Sequence, residues 1–154
     1  MKPGRPVSRG FTLIEIMMVV AIVGLTLTMG LPSFLRVLKR EGMRKAEYEM
    51  VEALREARRA AIMNNEKTFF VMRPLDGTFE VPGAYPTAQL PNDVVIEILG
   101  VNFVQLEKAE QANVAFFPNG TSDEFTIVLH TPGGVYRKIS LDTLTALPDI
   151  EDLR

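Results

Sequence analysis

Apolar and polar positions pass through three regimes along the chain. From Ile16 through Leu35 no side chain carries a charge, and Ile, Val, Leu and Met dominate. Coiled as a helix, this stretch of twenty residues rises roughly 30 Å, the thickness of a bilayer core. The pattern therefore predicts a helix able to span a membrane. A second helical pattern follows it. Met43, Ala46, Met50, Ala53, Leu54, Ala57 and Ala61 fall within a stripe about 100° wide at 3.6 residues per turn, while Arg44, Lys45, Glu47, Glu49, Glu52, Arg55, Glu56, Arg58 and Arg59 lie outside it. No strong stop separates the two patterns, so one helix is expected from Phe11 to Asn64, about 80 Å long. Gly24, Gly30 and Pro32 interrupt it. Proline lacks a backbone donor and clashes with the carbonyl four residues earlier, which makes Gly30 and Pro32 candidates for a bend. Ordinary transmembrane Gly and Pro residues would look the same.

Beyond Asn64 the period shortens to β-branched and aromatic runs divided by turn residues, which predicts an antiparallel sheet packed on the Met43 to Ala61 stripe, an α+β head. The expected strands are Thr68 to Arg73, Thr78 to Val81, Val94 to Leu99, Val101 to Leu106, Asn113 to Phe117, Phe125 to His130 and Val135 to Leu141. Asp76-Gly77, Asn119-Gly120 and Pro132-Gly133-Gly134 supply the turns. Residues Pro82 to Pro91, with three prolines, are expected to form a surface loop. Adjacent strand residues point to opposite faces, so one of Phe69 and Phe70, and one of Phe116 and Phe117, should enter the core.

Composition narrows the functional classes. Seventeen basic and 19 acidic residues give a formal net charge of -2, with no global basic surface for nucleic acid. Cysteine is absent, which excludes disulfides, thiolate metal sites and cysteine nucleophiles together. The 154 residues suit one membrane-anchored domain.

Charge is uneven at the start. Lys2, Arg5 and Arg9 are basic, no acid precedes Glu15, and Pro3, Gly4 and Pro6 discourage helix. A secretory signal peptide is cut after its apolar segment, whereas the candidate junction here, Gly10 and Phe11, comes before it. Glu15 is the odd residue. A charged side chain in an apolar span costs roughly 2.5 to 3.5 kcal/mol on forgiving insertion scales, so it needs a partner. The positive end of the helix macrodipole is one inducement. A free amino group at Phe11 would be a stronger one.

A short basic leader ending in Gly10, then Phe11-Thr-Leu-Ile-Glu15, then an apolar helix, resembles the prepilin signature shared by type IV pilins and the pseudopilins of type II secretion. The resemblance implies a pilin-like fold, with 1-10 as a leader removed by a prepilin peptidase, 11-35 as the transmembrane and assembly helix, and 36-154 as a periplasmic head. It implies cleavage between Gly10 and Phe11, N-methylation of Phe11, and pairing of Glu15 with the Phe11 amine of a neighbouring subunit. Two groups that are unfavourable alone in hydrocarbon become tolerable together, so such a pair sets register more than affinity. Losing Lys2, Arg5 and Arg9 removes three positive charges and takes the formal charge from -2 to -5. Basic residues also follow the span at Arg36, Lys39 and Arg40, so charge alone does not fix topology. The resemblance places the leader in the cytoplasm and the head outside a bacterial inner membrane.

Softer likenesses, Glu56-Ala-Arg-Arg-Ala-Ala-Ile-Met-Asn-Asn65, Ala115-Phe-Phe-Pro-Asn-Gly120 and Ile139-Ser-Leu-Asp142, are similar to the GspH/FimT family of minor pseudopilins. The implied partners are prepilin peptidase, the other pseudopilins or pilins of the filament, an inner-membrane assembly platform and inner-membrane lipid, with no direct nucleic-acid contact. The function so implied is a minor pseudopilin of a type II secretion system. A minor type IV pilin priming a surface pilus, and an unprocessed membrane-tethered periplasmic binding module, are the alternatives.

Elsewhere no catalytic group and no cofactor is assigned. His130 has no accompanying nucleophile motif and reads as structural or exposed. Asp123, Glu124 and Asp142 offer hard oxygens for calcium, but their spacing does not fit an EF-hand, and a solvated turn is the preferred reading. Asp149, Glu151 and Asp152 read as a solvated acidic end.

Overall fold

A computed structural model describes residues 11–153. The expected leader, with Gly10, lies outside the described residues, as do the side chains of 29–40 and with them the expected bend at Gly30 and Pro32. The architecture is α+β and pilin-like, with one helix followed by nine strands among the described residues. The chain forms two compact units, Met1–Val37 and Leu38–Arg154, and helix α1, Leu13–Asn64, contributes residues to both.

In the first unit, Thr12 starts the helix. Its hydroxyl accepts from the Glu15 N–H at 3.4 Å, and its carbonyl accepts from Glu15 and Ile16 at 3.1 and 3.3 Å. This is N-cap chemistry, satisfying donors that the first turn leaves without partners.

In the second unit, the predicted stripe is the packing face of α1. Met43, Ala46, Met50, Ala53, Leu54, Ala57 and Ala61 are all buried, with Val51 beside them. These side chains share one core cluster with Phe70, Phe79, Phe125 and Ile139 from the two sheets. Asn65, at φ 52°, ends the helix in the left-handed conformation that asparagine adopts more readily than most residues.

The strands are β1 Thr68–Arg73, β2 Thr78–Val81, β3 Tyr85–Gln89, β4 Val95–Val101, β5 Val104–Gln105, β6 Ala112–Phe116, β7 Phe125–His130, β8 Tyr136–Leu141 and β9 Pro148–Leu153. They form two antiparallel sheets rather than the single one expected: a four-stranded sheet ordered β3-β2-β1-β6 and a five-stranded sheet ordered β5-β4-β7-β8-β9. Phe70 joins them, since its ring lies 5.8 Å from Phe79 in its own sheet and 5.8 Å, edge-on, from Phe125 in the other. Such aromatic pairs add stability beyond their buried area. Phe70 and Phe116 are buried while Phe69 is exposed and Phe117 half-buried, with the Lys67 ammonium over both outer rings.

Three expectations are corrected. Tyr85–Gln89, inside the presumed loop, is a strand, because Pro82 and Gly83 (φ 77°) turn the chain and Pro86 sits on an edge strand where a missing donor breaks no ladder. The acidic end is solvated as expected, Asp149, Glu151 and Asp152 all being exposed, but it forms a strand that the expected set omits. Lys138 pairs with Glu151 at 2.8 Å and Arg137 with Asp152, so opposite charges face each other across β8 and β9. The Glu151 carboxylate also raises the Lys138 pKa by accepting its hydrogen bond. Gly100, taken as a break between strands, lies within β4, and the chain turns instead at Asn102 and Phe103.

Candidate functional site

The candidate site begins where the described residues begin. Phe11 and Thr12 precede the first helical residue, Leu13, and Phe11 is exposed. Thr12 is a site residue that the sequence reading passed over, although Thr-x-x-Glu over Thr12 to Glu15 is the spacing of a capping box. It fixes Glu15 as the third residue of the helix. The exposed Glu15 carboxylate thereby sits at the positive end of the helix dipole.

Every described side chain from Phe11 to Thr28 is exposed, including Leu13, Ile14, Ile16, Val20, Ile22 and Leu25. A continuous apolar surface of this extent marks contact with lipid or with other chains. Two of its hydroxyl groups are satisfied internally. The Thr26 hydroxyl donates to the carbonyl oxygens of Ile22 and Val23 at 3.0 and 2.9 Å, and that of Thr28 to Leu25 at 2.8 Å, so neither requires water. Among the described residues no helix is long and apolar enough to cross a membrane; the predicted span continues to Leu35, past the last of these described side chains.

In the head, the three carboxylates singled out by sequence serve turns. Asp123 accepts from the Ala115 N–H at 3.0 Å. Glu124 accepts from the Phe103 N–H at 3.1 Å with one oxygen and from the Thr126 hydroxyl at 3.0 Å with the other. Asp142 accepts from the Leu144 and Thr145 N–H groups at 2.9 Å each, and these bonds, Thr145 first, hold its carboxyl below the usual aspartate range. Among the described residues no three His, Cys, Asp or Glu side chains gather as a metal cage. His130 stacks on Tyr136 at 5.4 Å and lies 3.2 Å from Glu97, a cross-strand arrangement on the surface of the second sheet.

Residues 5–31 match the family described as the prokaryotic N-terminal methylation motif. The chain carries a type IV pilin-like prepilin signal. This N-terminal methylation motif covers Gly10, Phe11, Glu15 and the apolar start of α1, and it points to membrane anchoring. It implies processing by prepilin peptidase and pilin-like assembly. No curated protein and no solved structure matches the chain.

Proposed function

We propose that the chain is a minor pseudopilin of a type II protein secretion system. It is cleaved between Gly10 and Phe11, methylated at Phe11, held in the inner membrane by residues 11-35, and built into a short periplasmic filament through its head, 36-154. The observation that carries this reading is the order of the N-terminal elements. The sequence puts Gly10-Phe11 and Glu15 ahead of the apolar stretch, the methylation motif spans all three, and Thr12 caps the helix so that Glu15 occupies its first turn.

Glu15 acts as a register device in this account. Its carboxylate in an apolar filament interior is tolerable only beside a cation, and the Phe11 amine of a neighbour is at the right end of the rod to supply it. The choice of secretion rests on the head, whose Glu56 to Asn65 and Ala115 to Gly120 segments are similar to minor pseudopilins, while the absence of the cysteine pair that closes a loop in many major pilins disfavours a fibre-forming major pilin.

Co-purification of the Glu15→Ala chain with its filament neighbours tests the proposal. The variant should reach the membrane and be processed, yet lose its neighbours and the secretion that depends on them. Wild-type assembly and secretion by Glu15→Ala would refute it.

A further inference from the structure

The β4–β5 hairpin has a turn that its sequence does not favour. Val101 pairs with Val104, leaving Asn102 and Phe103 as a two-residue loop, with φ 50° and 65°. Both positive angles mark a type I′ turn, in which asparagine suits the first place and glycine the second. An aromatic residue in the second place is a conformational outlier. Phe103 is nonetheless there, and its side chain is 93% exposed, so no packing within the head repays the strain.

The turn is also clamped. The Asn102 N–H donates to the Glu124 carbonyl at 3.1 Å, the Glu124 N–H donates to the Asn102 side-chain oxygen at 3.1 Å, and the Phe103 N–H donates to the Glu124 carboxylate at 3.1 Å. The Thr126 hydroxyl holds the other oxygen of that carboxylate at 3.0 Å. Three hydrogen bonds therefore fix a strained backbone whose one large side chain points into solvent, and a fourth holds the clamping carboxylate. Strain that the surrounding structure over-determines is characteristic of contact sites, and a rigid aromatic on a preorganised tip is the usual form of an interface anchor.

We propose that Phe103 is a docking anchor for a different protein, one that presents an apolar pocket with a basic residue at its rim. The ring fills the pocket, exposed Val104 extends the contact, and the Glu124 carboxylate, bonded to the Phe103 amide, meets the cation. The same carboxylate disfavours a lipid surface, because inserting the tip would strip water from a fixed negative charge beside the ring and repel anionic headgroups. The inference stands independently of the filament reading.

Phe103 is exchanged for the photo-cross-linking analogue p-benzoylphenylalanine in the full chain, in its native cell. The result expected is a discrete adduct with a different protein. Its yield should fall about tenfold when Glu124→Gln is added, since glutamine keeps an oxygen for the Phe103 N–H but lacks the charge. Thermal unfolding of Phe103→Gly should show a midpoint at or above that of wild type, because glycine relieves the positive φ and no core contact is lost. Adducts with lipid, adducts with a second copy alone, no adduct, a yield indifferent to Glu124→Gln, or a lower midpoint for Phe103→Gly would each overturn the proposal. In the Glu15→Ala chain, loss of the adduct at unchanged membrane level puts the partner in the filament. Persistence supports the anchor with a partner outside the filament.

Discussion

Gly42 shows how closely the head is fitted to its helix. It lies in α1 immediately before Met43, where glycine in a helix interior costs about 1 kcal/mol relative to alanine. A methyl group placed there would stand 2.5 and 2.7 Å from the carboxylate oxygens of Asp93 and 2.9 Å from its Cγ. Those separations are far inside van der Waals contact, and all three atoms belong to one short side chain. Turning that side chain away costs of order 0.5–1.5 kcal/mol if it leaves its rotamer. The helix gain and the displacement cost thus nearly cancel, and Gly42→Ala should change stability by less than about 0.5 kcal/mol. In an Asp93→Ala background the obstacle is gone, and the same substitution should stabilise by the full ~1 kcal/mol. Urea unfolding of the four full-length chains in one detergent gives the coupling, expected near 1 kcal/mol. A gain of the full amount from Gly42→Ala in the wild-type background would refute the close approach of Asp93 to the helix.

Two further predictions concern the head. Leu54→Ala removes a fully buried side chain from the helix stripe and should destabilise by about 2–5 kcal/mol, against less than about 0.5 kcal/mol for a solvated substitution such as Lys45→Gln, both read by denaturant unfolding. The Asp142 carboxyl titrates below its ordinary 3.8, so its contribution to the turn before β9 is fully present above that value and is lost as pH falls through the lower, folded value. Amide protection at Leu144 and Thr145, relative to intrinsic exchange, should hold down to pH 3.8 and fall below it, and Asp142→Asn should abolish that pH dependence.

What could be read from the sequence follows the range of the interaction involved. The helix stripe was legible because Met43 to Ala61 repeats strictly at helical period, and every member is buried. Strands β1, β2 and β7 were legible to the residue, each being a β-branched or aromatic run closed by turn or polar residues. The Val101 to Leu106 strand was misplaced because Gly100 looked like punctuation and Phe103 does not look like a turn residue; only the Glu124 clamp, 21 residues away, makes that turn. Strand β9 was hidden because acids read as solvated until Arg137 and Lys138 are seen opposite them. The division into two sheets depends on pairings such as Thr68 with Phe116, which no local pattern encodes. For the candidate site, the methylation motif that spans Gly10, Phe11 and Glu15 was legible, whereas the capping role of Thr12 became plain only from its hydrogen bonds.

The central claim is that the chain is cut ahead of its apolar stretch, so that Phe11 becomes the terminus that Glu15 needs. Intact-mass measurement of the membrane form, with sequencing of its first residues, tests it most directly. The account predicts a chain that lacks Met1 to Gly10, begins at Phe11 and carries one added methyl group on its amine. A membrane form that retains Met1 to Gly10, or one cut after the apolar stretch, would contradict it.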